Sequence, residues 1–489
     1  MTHDGSASDK KAFYITTTLP YVNSDPHIGF AMEIIRADII ARWKKLSGFD
    51  VFFNTGTDEH GQKLFDSAKK HNMDVKDYVD MYAEKFKGLV PLLGISPDIH
   101  FIRTTDTHHE KAAQEFWMRV YNNGYIYKKT YTAKYCVGCE ENKSESELTD
   151  GHCILHPNLE IEIRDEENYF FKLSAFEKKL LALYDDAEKE GRSFVVPNFR
   201  LNEMREFVRR GLEDFSISRL KEKMSWGVPV PNDSEHVMYV WFDALVNYIS
   251  TLGWPENEAQ FDAFWRHGTP VQYCGKDNTR FQSVMWQAML MGAGLPPSHT
   301  IVVDGFITSG GEKMSKSLGN VVSPVEIVEE YGTEALRYHV AREFSTFEDS
   351  DFTLEKFKES YNANLANGLG NLVSRIMKMS QDNEVVTLIY KNNTIDNFSY
   401  LMERFEIKDA MDLIWQKIQN LDRRIAEEKP YQVVKNDLVE GKVIIQTLVQ
   451  ELFLIAKYIE PILPETSAKI IELIKANKSP ETPLFARKD

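Results

Sequence analysis

Two short segments, far apart in the chain, carry residues suited to phosphate chemistry. His27-Ile28-Gly29 lies between a strand-like run and a helix-like one, a position where free backbone N–H groups and the helix dipole favour an anion. Gly29 has no Cβ and lets a nucleotide lie close to the backbone, and His27 can donate to phosphate oxygens as charge develops at an α-phosphorus. The second segment is Gly310-Gly311-Glu312-Lys313-Met314-Ser315-Lys316-Ser317. Its glycines make a mobile loop, and Lys313 and Lys316 are spaced to converge on phosphates and neutralise a departing pyrophosphate in an in-line displacement. Taken singly, the first is an ordinary capping turn and the second a solvated lysine loop. Taken together they describe two halves of one ATP site.

A third cluster is suited to metal. Cys136-Val137-Gly138-Cys139 and Cys153-Ile154-Leu155-His156 are two Cys-x-x-ligand knuckles separated by a turn-rich stretch, the spacing of a tetrahedral structural zinc site. Four protein ligands, Cys136, Cys139, Cys153 and His156, leave no open position for catalysis. A redox Cys-x-x-Cys would need a thioredoxin-like context that the neighbouring sequence lacks. The fourth cysteine, Cys274, stands alone, and disulfides are not expected in a large chain without an export signal.

The elements that must position these groups follow from periodicity. Phe13 to Leu19 reads as a strand, Pro20 to Pro26 as a breaker-rich loop, and the run up to Gly48 as a helix with Met32, Ile35, Ile39, Trp43 and Leu46 on one face. A second strand at Val51-Phe52-Phe53, a loop from Thr55 to Gly61 and a helix from Val75 to Val90 continue the alternation, which implies parallel pairing. From about Gly124 to Arg164 the sequence is short-ranged, turn-rich and cysteine-bearing, as expected of a small insert. The alternation resumes at Val237 to Trp241, Val271 to Cys274 and Thr300 to Ile307. Beyond about Phe352 it becomes helical, with Leu365, Leu369, Leu372 and Ile376 on one face and Ile445, Leu448, Leu452 and Ile455 on another.

The expected fold class is therefore α/β: a Rossmann-like parallel-sheet catalytic domain with a zinc-bearing insert, followed by an all-α helical bundle. The expected boundaries are a disordered tail at 1–11, the first half of the sheet domain at 12–120, the insert at 121–235, the second half with the lysine loop at 236–350, and the bundle at 351–489. At 489 residues the chain has length for roughly three domains. No apolar run approaches the roughly 20 residues that cross a bilayer, and the small polar start lacks a signal peptide's apolar stretch. A cytoplasmic protein with no membrane association is expected. The formal net charge of −16 does not exclude an RNA partner, because RNA contacts need only a local basic stripe and stacking platforms.

The pairing of a helix-start His-x-Gly with a late Lys-Met-Ser-Lys-Ser resembles the split signature of class I aminoacyl-tRNA synthetases. Within that class the sequence is most similar to the methionyl-tRNA synthetases, through Leu19-Pro20-Tyr21, Thr55-Gly56-Thr57-Asp58-Glu59-His60-Gly61, Tyr239-Val240-Trp241-Phe242-Asp243-Ala244 and Gly275-Lys276-Asp277. The resemblance implies that Leu19, Tyr21, Asp58, Trp241, Tyr248, Gln282 and Trp286 line a methionine pocket, with Asp58 holding the substrate ammonium. It implies that His27, Gly29, Gly275, Asp277 and Lys316 contact ATP, with His27, Lys313 and Lys316 stabilising the reaction. It further implies an anticodon site at Asn371, Arg375 and Tyr431, Mg2+ accompanying ATP, and tRNA(Met) as partner of a monomer. Four positions depart from the family pattern: Phe30 replaces a second histidine, Asn278 and Gln282 replace isoleucine and histidine, and Tyr431 replaces tryptophan. Synthetases for isoleucine, valine and leucine resemble longer chains with a large editing domain, for which the insert has no room. A cysteine enzyme fits on size, and a catalytically idle tRNA-binding paralogue is the alternative from another functional class.

Overall fold

The structure, a computed structural model of the chain, describes residues 10–136, 141–143, 148–149, 151–154, 157–314, 320–386 and 394–489. Its centre is a sheet of six strands: β1 (Ala12–Thr17), β2 (Asp50–Thr57), β3 (His100–Arg103), β4 (Val195–Val196), β5 (Thr269–Gly275) and β6 (Thr300–Asp304). They lie in the order β3-β2-β1-β5-β6-β4, with every neighbouring pair parallel. β1 is central and buried on both faces. Phe13 and Ile15 point into one hydrophobic cluster and Tyr14 into the other, which is why its sequence reads as a continuous apolar run rather than an alternation.

Helix α1 (Ile28–Leu46) crosses from β1 to β2. Of the apolar face expected from its spacing, Met32, Ile35, Ile39 and Trp43 are buried, whereas Leu46 is 51% exposed at the last turn. The interior reaches further around α1 than one face, since Glu33, Arg36, Asp38 and Lys44 are buried as well.

Two expectations about strands are corrected. β2 runs on through Thr57 into the segment expected to be a loop. Gly56 permits this, because a Cβ there would stand 1.8 Å from the Ile102 carbonyl oxygen of β3, so the residue that reads as a breaker is what lets the two strands close. Val237 to Trp241 is not a strand of the main sheet. The strand there is His236–Met238, which pairs antiparallel with Ser218–Leu220, and Tyr239 then caps the short helix Val240–Leu245. The sixth strand is instead β4, contributed by the stretch read as insert. The rest of that stretch includes a long antiparallel pair, Ile126–Cys136 against Ile161–Phe171.

After β6 the chain forms β7 (Ile307–Ser309) and β8 (Glu312–Lys313), which pair antiparallel, and then turns helical. The bundle includes α2 (Asn371–Asp382), α3 (Ile407–Glu428), α4 (Leu438–Ile459) and α5 (Pro464–Ala476). Leu365, Leu369, Leu372 and Ile376, and likewise Ile445, Leu448, Leu452 and Ile455, are buried as their spacing requires. They belong to the same hydrophobic cluster as α1 and one face of the sheet, so bundle and sheet share one core. No described helix is long and apolar enough to cross a membrane.

Candidate active site

A cavity of about 1510 Å³ opens at the carboxyl ends of β1 and β5. These neighbouring strands begin the two halves of the sheet, and the crevice between their ends is where parallel α/β sheets bind ligands. Leu19, Tyr21, His27, Gly29, Asp58, Trp241, Tyr248, Gly275, Asp277 and Gln282, all singled out in the sequence, line it. Trp286 does not. It is fully buried behind Tyr248, with ring centroids 5.9 Å apart, and supports the wall from the core.

One end of the cavity is built for an anion. His27 is the N-cap of α1, and its Nδ1 accepts from the Gly29 N–H at 3.1 Å. Burial holds the imidazole pKa below its usual range. A neutral ring that accepts at Nδ1 carries its proton on Nε2, so it has a donor to offer. A Cβ on Gly29 would come within 2.9 Å of His27 Cε1, so the glycine is needed for the histidine's position as well as for close approach of a ligand. Phe30 packs edge-on against Phe86 with centroids 5.2 Å apart, giving the cavity an apolar wall where the family pattern has a donor.

Across the switch point, Gly275 and Asp277 follow β5, and Asp277 Oδ1 accepts from Asn278 Nδ2 at 3.3 Å. Between these two sides lie carboxylates that the sequence reading missed. Glu33 accepts from the Thr18 N–H and hydroxyl, both at 2.6 Å, and burial pushes its pKa up to about 8. Asp304, at the end of β6, faces Arg36 at 3.2 Å and is raised by burial to about 6. The available signal was weak: an acid within an apolar helix and one closing an apolar strand. Arg219, also on the cavity wall, holds its guanidinium 4.1 Å from the Tyr239 ring centroid.

The other end is an aromatic pocket that contains the Asp58 carboxylate. The loop after β1 is pinned to the end of β2 by Asp58 N–H to Pro20 O at 2.9 Å and Val22 N–H to Asp58 O at 3.2 Å, which sets Tyr21 beside Asp58. Asp58 Oδ1 is buried without a hydrogen-bond partner. Burial, reinforced by the charge of Asp243, drives its pKa well above the usual carboxylate range. Such a group favours an incoming cation. Behind it, His60 Nδ1 lies 2.7 Å from Asp243 Oδ2, while Arg103 grips Glu59 in bidentate fashion at 2.7 and 2.8 Å. Trp241, 43% exposed, stands at the mouth against Phe281 with centroids 4.3 Å apart.

The remaining sequence candidates lie elsewhere. Lys313 closes β8 by its backbone, Met314 lines the cavity, and Lys316 falls outside the described residues. Cys136 and Cys153 are buried, whereas Cys139 and His156 fall outside the described residues. Among the described residues, no group of three or more His, Cys, Asp or Glu could hold a metal ion. In the bundle, Asn371 is exposed at the start of α2, Arg375 one turn later pairs with Asp422 of α3, and Tyr431 is 44% exposed.

This sheet and cavity are those of a class I tRNA synthetase. The family model described as tRNA synthetases class I (M) matches residues 13–153 and 138–377. The Methionine--tRNA ligase of Thermotoga maritima is 39% identical over 96% of this chain and 76% of its own length, and that of Nostoc sp. is 38% identical over 95% and 90%. Among solved structures, Mycobacterium tuberculosis methionyl-tRNA synthetase in complex with methionyl-adenylate superposes with a TM-score of 0.84 at 33% identity, covering 98% of each chain. The chain belongs to the methionyl-tRNA synthetase family.

The His60–Asp243 pair carries a pH dependence. Burial lowers the His60 pKa, but Asp243, Glu110 and Asp58 together outweigh it and raise the value from 6.5 to about 10. A raised histidine contributes its full stability below the unfolded value, and that contribution is lost as pH climbs through the folded one. The melting temperature is expected to fall between about pH 6.5 and 10, with a smaller fall in His60→Gln. An equal decline in both proteins would contradict the assignment.

Proposed function

We propose that the chain activates L-methionine with ATP to methionyl-adenylate and pyrophosphate, then transfers the methionyl group to the terminal ribose of tRNA(Met), serving initiation and elongation. The observation that carries this reading is the buried Asp58 carboxylate, whose Oδ1 has no hydrogen-bond partner, beside an aromatic wall and in the same cavity as a helix N-terminus capped by His27. A buried carboxylate is the natural counter-ion of an α-ammonium group, and an apolar, polarizable thioether suits aromatic walls.

The methionine carboxylate is itself the nucleophile, so no side chain need form a covalent bond. The protein's part is alignment and charge stabilisation. Leu19, Tyr21, Trp241, Tyr248 and Gln282 enclose the methionine side chain, and Trp286 backs the wall. Gly275 and Asp277 hold the ribose, a carboxylate at a strand end being a recurrent partner for ribose hydroxyls. His27 and Gly29 receive the phosphates at the start of α1, and Lys313 and Lys316 neutralise the pyrophosphate as it leaves. Mg2+ accompanies the ATP phosphates.

The flanking regions take roles in tRNA recognition. Residues 12–120 and 236–350 supply the halves of the catalytic sheet, 121–235 the connective insert, and 351–489 the anticodon-binding bundle. Asn371 and Arg375 share one face of α2, and Tyr431 offers an exposed ring on which a base can stack. Cys136 and Cys153, buried soft donors, fit a structural zinc completed by Cys139 and His156. The enzyme is read as a cytoplasmic monomer.

Methionine-dependent exchange of pyrophosphate into ATP tests the activity: exchange is expected with methionine and not with cysteine. Exchange with neither amino acid would overturn the proposal. For the metal, elemental analysis should find about one zinc per chain. Well under one equivalent, or unchanged content in Cys136→Ser, would refute the site.

A further inference from the structure

The hairpin that carries Lys313 is short, and what holds it lies outside it. β7 and β8 pair through Thr308 with Lys313 and Ser309 with Glu312, and Gly310 and Gly311 join them at φ 64° and 79°. Both angles lie in the left-handed region that glycine adopts without strain. A two-stranded hairpin is marginal by itself, so its direction depends on the surface it leans on. That surface is the strand Ser350–Phe352, which pairs parallel with β7 and sets Asp351 in register with Thr308. Asp351, Thr308 and Lys313 therefore form one row across three strands.

Two carboxylates of this segment fasten the hairpin, one at its root and one at its turn. At the root, Asp349 Oδ1 accepts from the Phe306 N–H at 2.9 Å, and Lys276 Nζ reaches both Asp349 oxygens at 2.6 and 2.8 Å. Lys276 stands between Gly275 and Asp277, so this contact also ties the hairpin to the segment that follows β5. Gly305 passes so close that a Cβ there would lie 2.2 Å from the Glu348 carbonyl. At the turn, Asp351 Oδ1 accepts from the Gly311 N–H at 2.7 Å and from the Thr308 hydroxyl at 2.9 Å. The Thr308 oxygen also lies 3.4 Å from the Ser350 carbonyl, but the shorter contact claims its single proton. Asp351 Oδ2 faces Lys356 Nζ at 3.7 Å. The Gly311 N–H holds the Asp351 carboxyl below its usual range, so the group is ionised and its hydrogen bonds are charge-assisted.

We infer that Asp351 is a positioning residue for adenylate formation: by gripping the turn at Gly311 it fixes where β8 delivers Lys313. This rests on the proposed part of Lys313 in neutralising the departing pyrophosphate. Met314, the next residue, lines the cavity, so β8 enters the site directly from the turn that Asp351 holds. Without that grip the glycines still make the turn, but its bearing on the cavity is no longer set. Alignment at a reacting centre is sensitive to displacements of about 1 Å. Asp351 itself does not line the cavity, so its influence falls on the phosphate end and leaves amino-acid binding alone.

The test is pyrophosphate exchange measured at varied ATP and varied methionine. Asp351→Ala is expected to lower kcat by about ten- to a hundredfold, the scale of one hydrogen bond to a charged group. It should raise KM for ATP and leave KM for methionine unchanged. Asp351→Asn keeps an acceptor for the Gly311 N–H and should recover most of the loss. In a Lys313→Ala background Asp351→Ala should add little, because both changes act through one group. If Asp351→Ala does not fold, Thr308→Val removes the second donor to the same oxygen and should show the same pattern at about three- to tenfold. A merely structural role would raise both KM values together, or leave Asp351→Asn as impaired as Asp351→Ala, and either result overturns the inference. So does an unchanged kcat, or a full additive loss with Lys313→Ala. Wild-type protein that shows no exchange with methionine brings down the adenylation reading, and this inference with it.

Discussion

Helix α1 is buried along most of its length, and every charge it carries into that interior must be neutralised where it stands. Asp38 lies 2.8 Å from Arg337 and 2.7 Å from Arg42, and it also accepts from the Ser96 N–H at 2.8 Å. Arg36 meets Asp304 and donates to the carbonyls of Thr346 and Ser345 at 3.0 and 2.8 Å. Glu33 is held by Thr18, and Lys44 by Glu403 at 2.8 Å. Leaving one partner of such a buried pair uncompensated costs about 3–5 kcal/mol, so the helix has essentially one permitted rotation and depth. That single placement fixes where its N-terminus, and with it His27 and Gly29, meets the cavity.

The same charges connect the site to the bundle. Arg337, which neutralises Asp38, also donates to the Ile462 and Pro461 carbonyls at 2.7 and 3.2 Å, between α4 and α5. Lys44 reaches Glu403, just before α3. The apolar cluster runs without a break from β1 through α1 into the bundle. The helix that presents the phosphate-binding cap is therefore also the surface on which the bundle is mounted, and both are held by the same residues.

How much of this was legible in the sequence depended on whether the signal was local. The strand, loop and helix around His27 read correctly, because apolar periodicity and the breakers between Pro20 and Pro26 are properties of adjacent residues. The bundle helices read correctly for the same reason. Val237 to Trp241 misled because a β-branched and aromatic run does not reveal that Tyr239 will cap a helix, and β4 went unnoticed because two valines give no periodicity. Gly56 reads as a breaker until β3 lies beside it. The resemblance brought Asp58, Tyr248 and Gln282 to one pocket, but neither it nor any spacing rule could show that Asp58 Oδ1 would be left unpartnered, or that Glu33 and Asp304 would meet in the same cavity. Those are properties of side chains brought together from separate elements.

The proposed pocket turns on Asp58, whose buried Oδ1 stands without a hydrogen-bond partner, as the counter-ion for an amino acid's ammonium. Calorimetric titration of methionine without ATP measures this directly, comparing the wild-type protein with Asp58→Asn, which keeps the shape and removes the charge. The account predicts measurable binding to the wild type and affinity lower by about ten- to a hundredfold in the variant, the scale of one hydrogen bond to a charged group. Equal affinity in the two proteins would contradict it.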